Sequence, residues 1–541
     1  MIESTDEPAP KARSISTTHT ILLLAIASWA GFLLVRATGP ADLLGRDQVK
    51  LASYQLDIIE NDSWLWQQDQ DGHFASKPPL TQWLGALASE ALGTFHRLTY
   101  AFPSWWATLI TILILVGWVG REFGAAAAIW APLLLLCHQL GLREILLARS
   151  DPLFQCTTLL LALGIWRCWV DGAGPWPLVL AGTAALMTKG PLGWVMALLG
   201  LLAYRFDPPT ERLGLPRRSI VVGLIGSLVI PVIWLAAAQY DSGGLAIDKL
   251  IHDELIDHSI GSRVASNQQS VTHHLLPLGW FLTRLAPTGW IAVIAAVRLI
   301  RRPSPRPRER RAERFLLCWM IAGLLLLCIS THHRFIHLLV ILPPTAMLAA
   351  REVSRWFSPQ RNTVYAILAL SSVLPIAAAY LDVLDIHSPH IVRTKQLEEF
   401  CSEVESHVRP DTQLEFFHAD PATQVLLQRH RAPLPDSRIG DLLSSETHSL
   451  VVVGDENLFR KHASEQGIEQ FEVLVRESFG EDKLTLYSGQ GRQPSDSPRN
   501  PATRNYFILT LLSIMTAIGF YSALRFAAAG VAGSRSSPEH L

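Results

Sequence analysis

Gly45-Arg46-Asp47-Gln48-Val49-Lys50, followed by Ser76-Lys77-Pro78-Pro79-Leu80, is the stretch on which the reading of this chain turns. It lies between the first two long apolar runs, and it gathers an acid and several cations beside what reads as a bilayer. Fixed cations in a partly dehydrated place are suited to holding an anionic group. The loop is therefore the first place to look for chemistry.

The surrounding sequence supports the bilayer. The chain has 541 residues, of which 49% are hydrophobic and 17% charged, against roughly 25% charged in soluble domains. Its mean hydropathy is +0.24. The apolar residues are clumped into runs that approach the roughly 20 residues needed to cross a bilayer. Residues 19–36 follow a polar leader and precede no small-residue cleavage site, so they read as a first span rather than a cleaved signal. Further spans are expected at 99–119, 123–140, 152–169, 176–188, 191–204, 219–238, 275–297, 315–330, 335–350, 363–382 and 504–524, about twelve in all. The expected fold class is mainly α: a polytopic membrane protein with a small α/β extracytoplasmic domain.

Orientation follows from the cations near span ends. Lys11 and Arg13, the group Arg205, Arg212, Arg217 and Arg218, the run RLIRRPSPRPRERRAER over 298–314, and Arg351, Arg355 and Arg361 are all placed in the cytoplasm by an even number of crossings between them. The 298–314 run sits between two apolar spans. It reads as a topology determinant rather than a nucleic-acid-binding segment, and no nucleic-acid partner is expected. Residues 37–98, 140–151, 239–274 and 383–503 then lie outside. So do Arg149-Ser150-Asp151-Pro152, Thr188-Lys189-Gly190-Pro191 and Thr331-His332-His333-Arg334. Charged groups from distant parts of the chain thus collect at one membrane surface.

Three units follow. Residues 1–382 form the transmembrane catalytic domain with external loop 37–98, residues 383–503 a soluble extracytoplasmic α/β domain with a linker from 489, and residues 504–541 a last span and cytoplasmic tail. In the soluble unit, 414–418, 450–453, 471–475 and 484–487 read as strands, and 396–408, 421–430 and 456–466 as helices. His418, Asp420 and Asp455 sit at strand ends without a catalytic pattern. The cysteines lie mostly in apolar spans and imply no disulfide framework.

The order of motifs resembles that of the C-type membrane glycosyltransferases, in particular the aminoarabinose transferase and protein O-mannosyltransferase branch. Arg46-Asp47-Gln48, Asn61-Asp62-Ser63-Trp64, Asp71-Gly72-His73, Lys77-Pro78-Pro79-Leu80-Thr81-Gln82-Trp83, Ala148-Arg149-Ser150-Asp151-Pro152, Leu186-Met187-Thr188-Lys189-Gly190-Pro191, and Thr331-His332-His333-Arg334 with Leu342-Pro343-Pro344 carry the resemblance, over roughly residues 20–350. There are departures: Gln48 stands where the family has Glu, Ser76 where a Glu precedes the Lys, and two His where Lys is commoner. The lost Glu leaves a divalent metal as an open question.

The resemblance implies an integral membrane enzyme of a bacterial-type inner membrane, working on the periplasmic face of the cell envelope. It would move a sugar from a polyprenyl phosphate to a lipid acceptor, as in lipid A modification, or to a protein, as in O-mannosylation, with inversion. Such a reaction develops negative charge on the leaving phosphate. Lys77 is the first candidate to meet that charge, with Lys189, Arg149 and Arg334 beside it. Asp47 is the candidate to take the acceptor proton, with Asp151 second. Lys50, His332 and His333 are further candidates. Plainer roles stand beside these. Lys77 is also read as an interfacial anchor, Asp47 and Asp151 as helix caps, and Trp64, Trp66, Trp83, Trp105 and Trp106 as an interfacial belt. The main alternative function is a transporter or flippase of lipid-linked sugars, which would place polar groups within the spans rather than at their ends.

Overall fold

The computed structural model describes residues 43, 45–138, 140, 144–256, 271–330, 333–357, 389–409, 412–444, 449–468, 471–479 and 482–489. The expected spans 19–36, 363–382 and 504–524 lie outside the described residues.

The chain is mainly helical, with one small mixed sheet. After Gly45 comes α1 (Arg46–Asn61), then α2 (Leu80–Leu92), α3 (Phe102–Phe123), α4 (Ala125–Leu136), α5 (Asp151–Val170) and α6 (Trp176–Lys189). The later principal helices are α7 (Arg217–Ser227), continued by α8 (Val229–Asp241), then α9 (Thr288–Arg301), α10 (Pro307–Ile329) and α11 (Leu342–Val353). Prolines fall within the first two positions of α3, α5, α6, α10 and α11, where a missing N–H costs nothing. Gly190, at φ +71, ends α6. That break turns Lys189 out at the end of its span, as the Lys189-Gly190-Pro191 pattern suggests.

Five helical stretches are long and apolar enough to cross a membrane: Phe102–Phe123, Asp151–Val170, Arg217–Asp241, Pro307–Ile329 and Phe335–Val353. A sixth is the pair Thr272–Thr283 and Thr288–Arg301 taken together, bent by 98°. Ala125–Leu136 and Leu192–Phe206 are apolar but shorter. Among the described residues the count therefore falls short of the expected twelve. Leu109, Ile112, Leu115 and Val119 of α3 pack inward with Ile165 and Trp166 of α5 and Phe315 and Trp319 of α10. In contrast, Val222, Ile225, Val229, Ile230 and Ile233 of α7 and α8 stand exposed. A continuous apolar face of this kind suits lipid and not water.

Beyond the bundle, α12 (Pro389–His407) leads into a sheet of β1 (Gln413–Phe417), β2 (Ser449–Val453), β3 (Glu472–Phe479) and β4 (Asp482–Ser488). The order is β1-β2-β4-β3, with β1 and β2 parallel and the other pairs antiparallel. Alternation divides its core: Leu414, Phe416, Leu450 and Val452 face one side, and Phe417, Val451 and Val453 the other, with Phe459 and Tyr487. The expected strands are present. The expected 421–430 helix stops at Leu426, and Gln428 takes a left-handed φ of 52° just beyond it. Asp420 and Asp455 cap the helices that follow β1 and β2, accepting from Ala422 N and Leu458 N.

α1 is buried on every side from Leu51 to Ile58. It lies as a plate between the bundle and the soluble domain. Gln55 Nε2 donates to Tyr100 O on the bundle side, at 3.1 Å. On the other side, Asn61 Nδ2 contacts His430 Nδ1 at 3.0 Å.

Candidate active site

The loop after α1 is pinned by three indoles. Trp66 Nε1 donates to Ala75 O at 3.0 Å, Trp83 Nε1 to Trp64 O at 2.7 Å, and Trp234 Nε1 to Leu65 O at 2.8 Å. Trp66 also stacks on Phe74, with ring centroids 4.0 Å apart. Trp66 and Trp105 are buried, so they pack the protein and do not form an interfacial belt. This scaffold presents Lys77, and Pro79 starts α2 directly behind it.

Around Lys77 the chain collects most of the candidate residues. Arg334 Nη1 bonds Asp47 Oδ2 at 2.7 Å. Arg149 Nη2 lies 3.7 Å from the same oxygen, and its Nε lies 3.4 Å from Asp151 Oδ2. Lys189 Nζ meets Asp151 Oδ1 at 2.5 Å. Ser104 Oγ holds the Arg149 turn in place through the carbonyls of Leu147 at 2.6 Å and Arg149 at 3.0 Å. Lys77 stands within electrostatic reach of Lys189, Asp151, Asp47 and Arg149. Among the described residues it makes no hydrogen bond or ion pair.

Lys77 is exposed and stands among Lys189, Asp151, Asp47 and Arg149. Desolvation by the neighbouring protein, and then the Lys189 ammonium, lower its pKa to about 8, while Asp151 and Asp47 pull the other way. Partial burial works against the Asp47 carboxylate. Arg334, Lys77 and Arg149 outweigh it and hold Asp47 below the usual carboxylate range.

Neither acid is a cap. α1 begins at Arg46 with Gly45 as its N-cap, so Asp47 is already inside the helix. Asp151 is the first residue of α5, after Ser150. Two other candidates sit elsewhere. Lys50 pairs with Asp69 Oδ2 at 2.9 Å. His333 lies against His273 and His274, with centroids at 4.6 and 5.6 Å. His332 is outside the described residues. A residue the sequence reading missed is Glu144, buried and 3.6 Å from Arg149 Nε. Its signal was an acid within an apolar stretch, three residues before Leu147.

Among the described residues, one group of three has metal-ligand spacing: Asp69, Asp71 and His73. It does not fit a cation. Asp69 Oδ1 already accepts from Asp71 N at 3.1 Å and His73 N at 2.8 Å, and Oδ2 faces the Lys50 ammonium.

No family model and no curated protein matches the chain. Solved structures do. ArnT from Cupriavidus metallidurans bound to undecaprenyl phosphate superposes with a TM-score of 0.66 at 15% identity, over 87% of this chain and 98% of that one. The fold is that of ArnT. The apo state of ArnT gives 0.63 at 16% identity, over 88% and 98%. AglB from Archaeoglobus fulgidus, in complex with an inhibitory peptide and a dolichol-phosphate, aligns with a TM-score of 0.41 at 13% identity, over 84% of this chain and 69% of that one. A match that loose carries no argument. The resemblance to C-type membrane glycosyltransferases is thus matched by a likeness of fold to ArnT that extends into the soluble domain.

Proposed function

We propose that this protein is an integral membrane glycosyltransferase that takes a sugar from a polyprenyl phosphate on the extracytoplasmic face and passes it to a lipid or protein acceptor. The observation that carries the reading is the convergence of Lys77, Arg149, Lys189 and Arg334 on Asp47 and Asp151, with Lys77 left unpartnered among the described residues. Its place on the ArnT fold adds weight, since ArnT was solved with undecaprenyl phosphate. The twelve-span topology, the three-part domain division and a periplasmic site in an inner membrane belong to the same reading.

In this mechanism the bond from the anomeric carbon to the phosphate oxygen breaks, and its electron pair stays on the phosphate. Lys77 and the two arginines meet that growing charge. The acceptor oxygen bonds the anomeric carbon from the opposite face, which inverts it, and its proton passes to Asp47. Asp47 is half exposed and can reach an acceptor, whereas Asp151 is enclosed by Lys189 and Arg149 and orients them. The cations make Asp47 a weak base in the free protein. An anionic donor offsets those cations and raises its proton affinity at the moment it is needed.

The test offers radiolabelled polyprenyl-phosphate sugars and membrane acceptors to the purified protein in lipid, beside Asp47→Asn. Label passing to an acceptor with the wild type and not with the variant is the expected result. Label that crosses the bilayer with no transfer would replace the enzyme by a flippase.

A further inference from the structure

The arginine run over 298–314 divides in two in the structure. Arg298, Arg308, Arg310, Arg311 and Arg314 each pair with an acid. Arg301, Arg302 and Arg306 are exposed, and their side chains make no hydrogen bond or ion pair among the described residues. The turn that carries them is fixed. Ser304 N donates to Glu313 Oε2 at 3.0 Å, and Arg310 Nη1 donates to Ser304 O at 3.1 Å. Pro303, Pro305 and Pro307 stiffen the same stretch by fixing its φ angles. A topology signal needs only net positive charge. It does not need unpaired cations held outward on a rigid turn.

An apolar face leads to that turn. Trp290, Val293, Ile294, Val297 and Ile300 of α9 are exposed, while Ala292, Ala295, Ala296 and Leu299 between them are buried against the bundle. Arg301 follows Val297 by four residues, so it continues the exposed face. From Trp290 to Ile300 that face runs about 15 Å, the depth of one leaflet in a hydrocarbon core of roughly 30 Å. We infer that the end of α9 and the turn after it bind an anionic phospholipid. Its phosphate lies among Arg301, Arg302 and Arg306, and an acyl chain lies along α9. The arginine fork can hold two phosphate oxygens at once. A zwitterionic lipid offers the same phosphate and chains, but its ammonium group is repelled by the three cations. Such a site requires the chain to sit in a bilayer, as proposed above, and does not require the transfer chemistry. It lies where α9 ends and α10 begins, at the opposite end of the bundle from Lys77.

The test uses the full chain in detergent micelles and native mass spectrometry. Phosphatidylglycerol and phosphatidylcholine with the same acyl chains are offered in equal amounts, and undecaprenyl phosphate binding is measured on the same samples. Arg301→Gln, Arg302→Gln and Arg306→Gln are combined in one variant. It loses no pairing among the described residues, and the paired arginines that remain in the run keep its orientation. Arg167→Gln is the reference, because it removes an exposed arginine at the same end from α5, a helix that is mostly buried. The wild type is expected to retain phosphatidylglycerol over phosphatidylcholine by about tenfold, the triple variant to hold the two alike, and Arg167→Gln to match the wild type. Equal retention of the two lipids by the wild type overturns the inference, and that comparison needs no variant. So does a preference that the triple variant keeps, or one that Arg167→Gln abolishes as fully, which would make it an effect of overall charge. Displacement of the lipid by glycerol 3-phosphate would make this a site for free phosphate and overturn it as well. Failure of the wild type to bind undecaprenyl phosphate counts against the transferase reading and leaves the lipid site standing.

Discussion

The helix bundle carries charge at both ends, and the two ends are built differently. At the end where α3 and α5 finish and α10 begins, arginines and acids are closely matched. Arg308 makes a two-pronged contact with Glu122, at 2.8 and 2.7 Å. Arg311 bonds Asp207 at 2.8 Å, Arg298 bonds Glu352 at 2.8 Å, and Arg351 bonds Glu313 with both nearly fully buried. At the other end, where α5 begins and α6 finishes, Arg149 reaches its acids only at 3.4 to 3.7 Å, and Lys77 has no partner among the described residues. At the first end each of these arginines is ion-paired with an acid within hydrogen-bond distance. The other holds positive charge in reserve. The sequence alone makes the first end look more charged, since the 298–314 run is its densest block of arginine. What marks a site is the pairing left undone, not the number of cations.

That contrast can be broken by mutation. The largest expected effect is on stability at the satisfied end. Glu313→Ala leaves the buried Arg351 only its 3.6 Å contact with Glu309 and costs about 3 kcal/mol, read by thermal unfolding in detergent, while the protein that remains folded keeps its transfer rate per molecule. A rate that falls further than the folded fraction would dissolve the distinction. At the reserve end the effects reverse. Lys77→Ala lowers transfer about a hundredfold and lowers the unfolding temperature little, because no hydrogen bond or ion pair among the described residues is lost.

A pH series sharpens the same point. Lys77 has its pKa lowered to about 8, so in the free protein it loses its charge as pH rises through that value. Affinity for the anionic donor lipid falls between pH 7 and 9 in the wild type, and Lys77→Arg, which stays charged, flattens the fall. The sign for stability is opposite. Between about 8 and the ordinary lysine value the unfolded chain keeps a proton that the folded chain sheds, so folding is slightly favoured as pH rises there. The smallest effect is expected at Arg355, a partly exposed residue that pairs with Glu309 at 3.0 Å. Arg355→Ala should shift stability by at most about 1 kcal/mol and transfer not at all.

Much of this was legible in the sequence, and the limits have physical causes. Span ends announce themselves, because Arg149-Ser150-Asp151-Pro152 and Lys189-Gly190-Pro191 carry the proline and glycine that start and stop helices. Charge parity then puts Asp47 and Arg334 on one face, although 287 residues separate them. Parity cannot say which way a side chain leans. Lys50 is one turn from Asp47, yet it is drawn to Asp69, whose carboxylate is fixed by a turn that composition does not reveal. Glu144 was missed because a single acid in an apolar stretch gives no pattern. Trp66 was misread because an indole that pins a loop and one that sits in a membrane belt look the same in sequence.

The most direct test of the reserve charge is the binding of undecaprenyl phosphate to the purified protein at pH 7, wild type against Lys77→Ala. Weaker binding by the variant, by a factor of about ten or more, is the result expected if Lys77 is held in readiness for a phosphate. Equal binding by the two proteins would contradict it and return Lys77 to the role of an anchor at the membrane surface.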